Sequence, residues 1–287
     1  MANYQIVTDS CCDFTGQQYS DLNLTCVPLT LLYRGGEHES FTEPKDLRDF
    51  YDGIRDGEMP TTSAVNPDSW AKVMEPILSS GTDILCMTFS SGLSTTYQSA
   101  VIAAEELREK YPQRTIHVTD TLCAALGQGL LVYKACEKRD AGFSLDALYR
   151  WVEENKLHIC HWVTIDDLRH LKRGGRISST TAFVGGMLNI KPIIIMDEKG
   201  KLATVGKCRG RKAAMELLAG KLSEDGTDVE TIFIAHGDCP EDAAALEKLC
   251  REKCPSVKTV LTGYVGSVIG AHTGPGVLVV FFLGTHR

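Results

Sequence analysis

No run of the 287 residues approaches the roughly 20 consecutive apolar positions that a membrane-spanning helix requires. The chain does not open with a basic segment followed by an apolar one, so neither an integral membrane segment nor a secretory leader is expected, and a cytoplasmic protein is. Positive charge is in deficit: 30 Lys and Arg stand against 37 Asp and Glu, and the net charge of −7 favours neither nucleic acid nor an anionic membrane surface. No C-x-x-C pair occurs among the 11 cysteines. With an odd count and no leader, they read as reduced thiols used as small apolar side chains. There is no G-x-x-x-x-G-K-[ST] loop, and no G-x-G-x-x-G after the first β-like run, so no nucleotide cofactor is expected. "HICH" (158–161) has metal-ligand chemistry but poor spacing. On a strand it puts His158 and Cys160 on one face and His161 on the other, and no metal site is expected there.

What is present is an ordinary globular composition, 43% apolar and 23% charged, long enough for two modest domains or one large one. β-like runs at 4–10, 24–33, 83–89 and 115–121 alternate with helical stripes. In "PKDLRDFYDGIRDG" (44–57), for example, Leu47, Phe50, Tyr51 and Ile54 share a face. The alternation predicts an α/β first half, residues 1–155. Beyond it, "HICHWVTI" reads as a strand and "DDLRHLKRGGRISS" as a short helix broken by two glycines. "TTAFVGGMLN" reads as a small-residue helix, and the small residues of "TTAFVGGMLNI" (180–190) suit ordinary close helix packing as well as they suit room for an apolar group. "KPIIIMDEKGKLATVGKCRG" reads as a hairpin turning at Glu198-Lys199-Gly200. A hairpin among alternating elements predicts a mixed sheet in a second domain, residues 156–287.

Strands end in hydroxyl-rich loops: "TDS" (8–10), "TTS" (61–63), "SSGLSTT" (90–96), "TDT" (119–121) and "HTGPG" (272–276). One such serine is an ordinary helix cap. Five loops at the carboxyl ends of strands, one carrying His272, predict convergence on a small oxyanion. Hydroxyls and a histidine without a lysine cluster suit a carboxylate better than a polyphosphate. "GLST" around Ser94 approaches the nucleophile elbow G-x-S-x-G, but Thr96 stands where the elbow needs its last Gly. The alternative reading is therefore a serine-dependent acyl hydrolase with Ser94 as nucleophile, His272 as base and Asp238 as orienting acid. "KRGGRIS" (172–178) and "GKCRGRK" (206–212) are the basic features, presenting Arg176 and Arg209.

Read together, "TDSCCD" (8–13), "PTTSAVNP" (60–67), "SSGLSTTYQSA" (90–100), "DTLCAALGQG" (120–129), "DLRHLKRGGRIS" (167–178), "LNIKPI" (188–193), "GKCRGRKAA" (206–214) and "GAHTGPGVL" (270–278) resemble the DegV family of bacterial fatty-acid-binding proteins from end to end. The resemblance implies a two-domain α/β fold with one long-chain fatty acid buried between the domains. It implies no enzyme activity of the chain's own: a separate cytoplasmic fatty acid kinase docks and phosphorylates the bound carboxylate. By the same resemblance Thr61, Ser94 and His272, with Thr62 beside them, hold the carboxylate, and Arg176 and Arg209 serve kinase docking or phosphoryl transfer. The chain departs from the family at Thr95, where a Gly is usual, and at Cys11-Cys12. His272, with an ordinary pKa near 6.5, is expected to be neutral or charged near pH 7.

Overall fold

The structure, a computed structural model, describes residues 4–177, 189–285 and 287. Most of the small-residue stretch 180–190 lies outside the described residues. The first half runs through β1 (Tyr4–Asp9), α1 (Gly16–Asp21), β2 (Leu24–Val27), β3 (Thr30–Tyr33), β4 (Gly36–Glu39), α2 (Pro44–Arg55), β5 (Thr61–Ser63), α3 (Pro67–Ser79), β6 (Asp83–Thr88), α4 (Thr96–Lys110), β7 (Ile116–Asp120), α5 (Leu126–Asp140) and α6 (Leu145–Asn155). Four of its strands make a parallel sheet in the order β2-β1-β6-β7. A small antiparallel sheet, β4-β3-β5, stands apart from it.

Residues 24–33, which read as one strand, form two strands in different sheets. Pro28 stands between them; it has no N–H to continue a ladder, and the chain leaves the parallel sheet there. The "TTS" segment (61–63), expected as a loop, is β5, which pairs with β3. The Asn66 side chain caps α3 by accepting from Ser69 N at 2.8 Å, with Pro67 in the first turn. The expected stripe of α2 is buried.

The second half runs through β8 (Ile159–Thr164), α7 (Arg169–Gly174), β9 (Ile190–Met196), β10 (Leu202–Arg209), α8 (Arg211–Asp225), β11 (Gly226–His236), α9 (Pro240–Lys253), β12 (Thr259–Tyr264), α10 (Ser267–Thr273) and β13 (Leu278–Gly284). Among the described residues its six strands form one mixed sheet, β10-β9-β8-β13-β11-β12, in which only the β11–β12 pair is parallel. The expected hairpin is β9–β10, turning at Gly200 with φ +66°. The apolar run near the C-terminus becomes β13, buried from Leu278 to Phe282 between β8 and β11.

α5 joins the two halves. It is buried almost all round, from Leu126 to Val132 without interruption, as a helix packed on both sides must be. Leu126, Leu130 and Leu131 share one core cluster with Ile6 and Leu85 of the parallel sheet and with Phe233, Val279 and Phe281 of the mixed sheet. Among the described residues no helix is long and apolar enough to cross a membrane.

Candidate functional site

A cavity of about 430 Å³ lies where the two halves meet, a size typical of small-molecule sites, which span about 300–1,000 Å³. Its walls are mainly apolar: Phe89 and Ala124 from the first half, and Val163, Ile194, Val265 and Val279 from the second. Polar side chains enter the lining from a few short segments: Thr62 and Ser63 of β5, Ser91, Ser94, Thr95 and Gln98 around the start of α4, Arg176 after α7, and His272 and Thr273 at the end of α10.

Of the five hydroxyl loops, three reach the cavity and two do not. The "TDS" and "TDT" loops act one layer back. Asp9 is fully buried; its carboxylate accepts from Phe89 N at 2.6 Å, Cys11 N at 3.0 Å and Gln128 Nε2 at 3.3 Å. Burial raises the Asp9 pKa to about 6 against the opposing effect of those hydrogen bonds. Asp120 Oδ1 accepts from Ser91 N and Leu122 N, each at 3.1 Å. These carboxylates satisfy backbone N–H groups of the loops that form the cavity wall, as buried N–H groups require.

His272 belongs to the last turn of α10 rather than to the loop, which begins at Gly274 with φ +74°. The expectation of a loop histidine fails because "GAHT" continues the helix until glycine permits the left-handed turn. α10 packs against both β5 and α7. That packing puts His272 Nε2 2.8 Å from Thr62 Oγ1. On the other side, a Cβ on Gly174 would stand 2.4 Å from His272 Nδ1, so only glycine lets α7 approach the ring. Burial, and after it the Arg176 and Arg173 charges, lowers the His272 pKa to about 4. The unliganded ring is therefore neutral at pH 7, not poised at its ordinary value.

The placement of the other candidates is uneven. Thr62 and Ser63 line the cavity; Thr61, at the start of β5, is exposed and is not in the lining. Ser94 lines the cavity, but its hydroxyl is 2.8 Å from Thr96 Oγ1 and accepts from Thr96 N at 3.2 Å. Thr95 has φ −84°, outside the left-handed region, so this position holds a side chain without strain. Arg176 lines the cavity beside His272, whereas Arg209 is exposed at the end of β10 and is not in the lining. Asp238 is committed elsewhere: Arg55 donates to its carboxylate at 2.5 Å and Tyr264 Oη at 3.2 Å. Among the described residues no hydrogen bond links Ser94, His272 and Asp238, so the hydrolase triad is not assembled.

Sequence reading passed over Gln98, Thr273 and His161, all in the lining. The alternation that set His161 apart from Cys160 was the available signal for the last. On β8, Cys160 belongs to the core on the far side of the sheet, while His161 faces the cavity.

A parallel sheet and a mixed sheet enclosing an apolar cavity with a hydroxyl–imidazole–guanidinium cluster define a mixed α/β protein. The model for the family described as uncharacterised protein, DegV family, matches residues 3–285. The chain belongs to the DegV family. A DegV domain-containing protein of Clostridium perfringens is 45% identical over 99% of this chain and 98% of its own. The solved structure of a DegV family protein from Thermus thermophilus, described for its fatty acid binding, superposes with TM-score 0.85 at 31% identity, covering 97% of this chain and 98% of that one. DegV from Bacillus subtilis, described as a fatty acid binding protein, superposes with TM-score 0.82 at 30% identity, covering 98% and 99%.

Proposed function

We propose that the chain binds one long-chain fatty acid and presents its carboxylate to a separate kinase for acyl-phosphate formation. The observation that carries the reading is an apolar cavity whose walls meet at the Thr62–His272 pair, with Arg176 beside it. The relatives described as fatty-acid-binding support it. Each buried methylene contributes roughly 0.8 kcal/mol, so a dozen supply on the order of 10 kcal/mol before the entropy costs of binding. The tail gives affinity and the head group gives orientation.

The carboxylate accepts from the Thr62 hydroxyl and the His272 ring, and Arg176 compensates its charge. An anion beside His272 favours the protonated ring, which reverses part of the depression of its pKa. Ser94 and Thr95 add hydroxyls around the start of α4, and the N-terminal end of a helix favours negative charge. The half-buried Arg176 and the exposed Arg209 then divide the labour: Arg176 serves the head group and any phosphoryl group passing to it, and Arg209 serves docking of the kinase. The two-domain division near residue 155 belongs to the same reading, since α6 ends there and the cavity lies between the two halves.

The test is denaturing extraction of the purified protein followed by mass spectrometry. About one long-chain fatty acid per chain is expected, with acyl phosphate formed when the kinase and ATP are added. Protein that carries no acyl chain and takes up none from solution contradicts the binding reading. Protein that binds but is never phosphorylated contradicts the presentation alone.

A further inference from the structure

The far end of the cavity is marked by the one motif that the head-group chemistry leaves unused. β8 and β13 are antiparallel, with Val163 opposite Val279 and His161 opposite Phe281. Alternation turns Val277, Val279 and Phe281 from one segment, and His161 and Val163 from the other, toward the cavity. Val277 follows the short loop that leaves α10, the helix whose last turn carries His272. Four residues further along, at a rise of about 3.4 Å each, the same face reaches Phe281 and His161 some ~14 Å away. The next pair on that face, Ile159 and Leu283, is not in the lining. Along these two strands, among the described residues, the cavity ends at the His161–Phe281 pair, whose rings meet edge to face at 5.1 Å.

His161 is only 3% exposed, and both of its nitrogens are taken. Ala124 N–H donates to Nε2 at 3.2 Å, which leaves Nδ1–H to donate to Ile159 O at 2.9 Å. The ring therefore offers the cavity only its carbon surface. It also holds the 121–125 loop, whose Leu122 and Ala125 sit at φ +53° and +55° and whose Ala124 and Ala125 are themselves cavity wall. Gly127 of α5 makes room behind it: a Cβ there would stand 2.2 Å from Nε2. Histidine thus does what leucine does not, closing an apolar end while satisfying a buried N–H.

We propose that His161 is a specificity-determining residue, setting the acyl-chain length the cavity accepts by closing its tail end and pinning the Ala124 wall. The inference rests on the fatty-acid reading above. Wild type, His161→Ala and His161→Gln are each equilibrated with an equimolar, graded series of straight-chain fatty acids, and the bound fraction is analysed by mass spectrometry. His161→Ala is expected to shift the preferred chain longer, by about fourfold in relative affinity for each methylene newly accommodated. His161→Gln, which keeps an acceptor for Ala124 N–H, shifts it less. Wild-type chain preference in both variants, at wild-type lipid stoichiometry, overturns the proposal. Should the variants fail to fold, wild type loaded with a fatty acid ¹³C-labelled at its terminal methyl decides. Nuclear Overhauser contacts from that methyl to the His161 and Phe281 rings support the proposal; a methyl that contacts neither overturns it. A wild-type protein that takes up no fatty acid at all instead removes the parent reading, and this one with it.

Discussion

The two histidines of the cavity are both neutral near pH 7, yet they are built for opposite work. His161 is held near pKa 3 by burial and then by the Arg287 charge, with both nitrogens hydrogen-bonded to backbone. His272 is held near 4 by burial and then by Arg176 and Arg173, with one side-chain hydroxyl as its partner. One ring is finished as part of the wall. The other faces two cations and has capacity left for an anion. The same residue type in one cavity is thus saturated where the backbone completes it and keeps hydrogen-bonding capacity where it does not. A depressed pKa alone does not tell the two apart; the hydrogen-bond partners do.

His272→Ala removes the head-group donor and leaves a buried anion poorly satisfied. Fatty-acid affinity, measured by equilibrium competition, is expected to fall roughly tenfold to a hundredfold, as for loss of a hydrogen bond to a charged group. Arg176→Ala should weaken binding by about five- to thirtyfold, the effect of ~1–2 kcal/mol. Arg209→Ala should leave binding within about twofold and lower only the rate of acyl-phosphate formation with the kinase present. Equal losses of bound lipid in the two arginine variants would break the division between head-group and exposed charge.

Gly174→Ala sharpens the comparison from the backbone side. Its Cβ would displace the His272 ring, so thermal denaturation should show a loss of about 1–3 kcal/mol, as for overpacking, accompanied by weaker binding. The smallest effect is expected on β5. Thr62→Ala costs about 0.5–1.5 kcal/mol of binding, the usual worth of one hydrogen bond, while Thr61→Ala costs nothing measurable. A Thr61 variant that binds as poorly as the Thr62 variant would show that β5 turns over when lipid binds.

Much of this architecture was legible in the amino-acid pattern. The amphipathic stripe of α2, the turn at Gly200 and the apolar run of β13 each depend on local periodicity or turn chemistry, and each lies where that pattern put it. The misreadings depend on partners distant in sequence. Pro28 divides a continuous β-like run because its two sides pair with different sheets. Arg176 follows two glycines in a basic segment, and only the packing of α7 against α10 places it in the cavity lining. Thr61 and Thr62 are equivalent in sequence until the pairing of β5 with β3 decides which faces inward. The "TDS" and "TDT" loops carry ligand-like chemistry, but Asp9 and Asp120 spend it on backbone N–H groups. Family resemblance put Thr61, Ser94 and His272, with Thr62 beside them, at the carboxylate and set Arg176 apart with Arg209; it is the packing of α10 against β5 and α7 that brings Thr62, His272 and Arg176 to one cavity.

The most direct test is an NMR titration of the histidine rings in lipid-free and fatty-acid-loaded protein. In the lipid-free state His272 should stay neutral down to about pH 4, and His161 to about pH 3. Loading puts a carboxylate beside His272 and a methyl beside His161. The pKa of His272 should therefore rise, because an anion favours the imidazolium form, while His161 should not change. A loaded protein in which His272 titrates as before, or in which His161 rises instead, would contradict the assignment of head and tail.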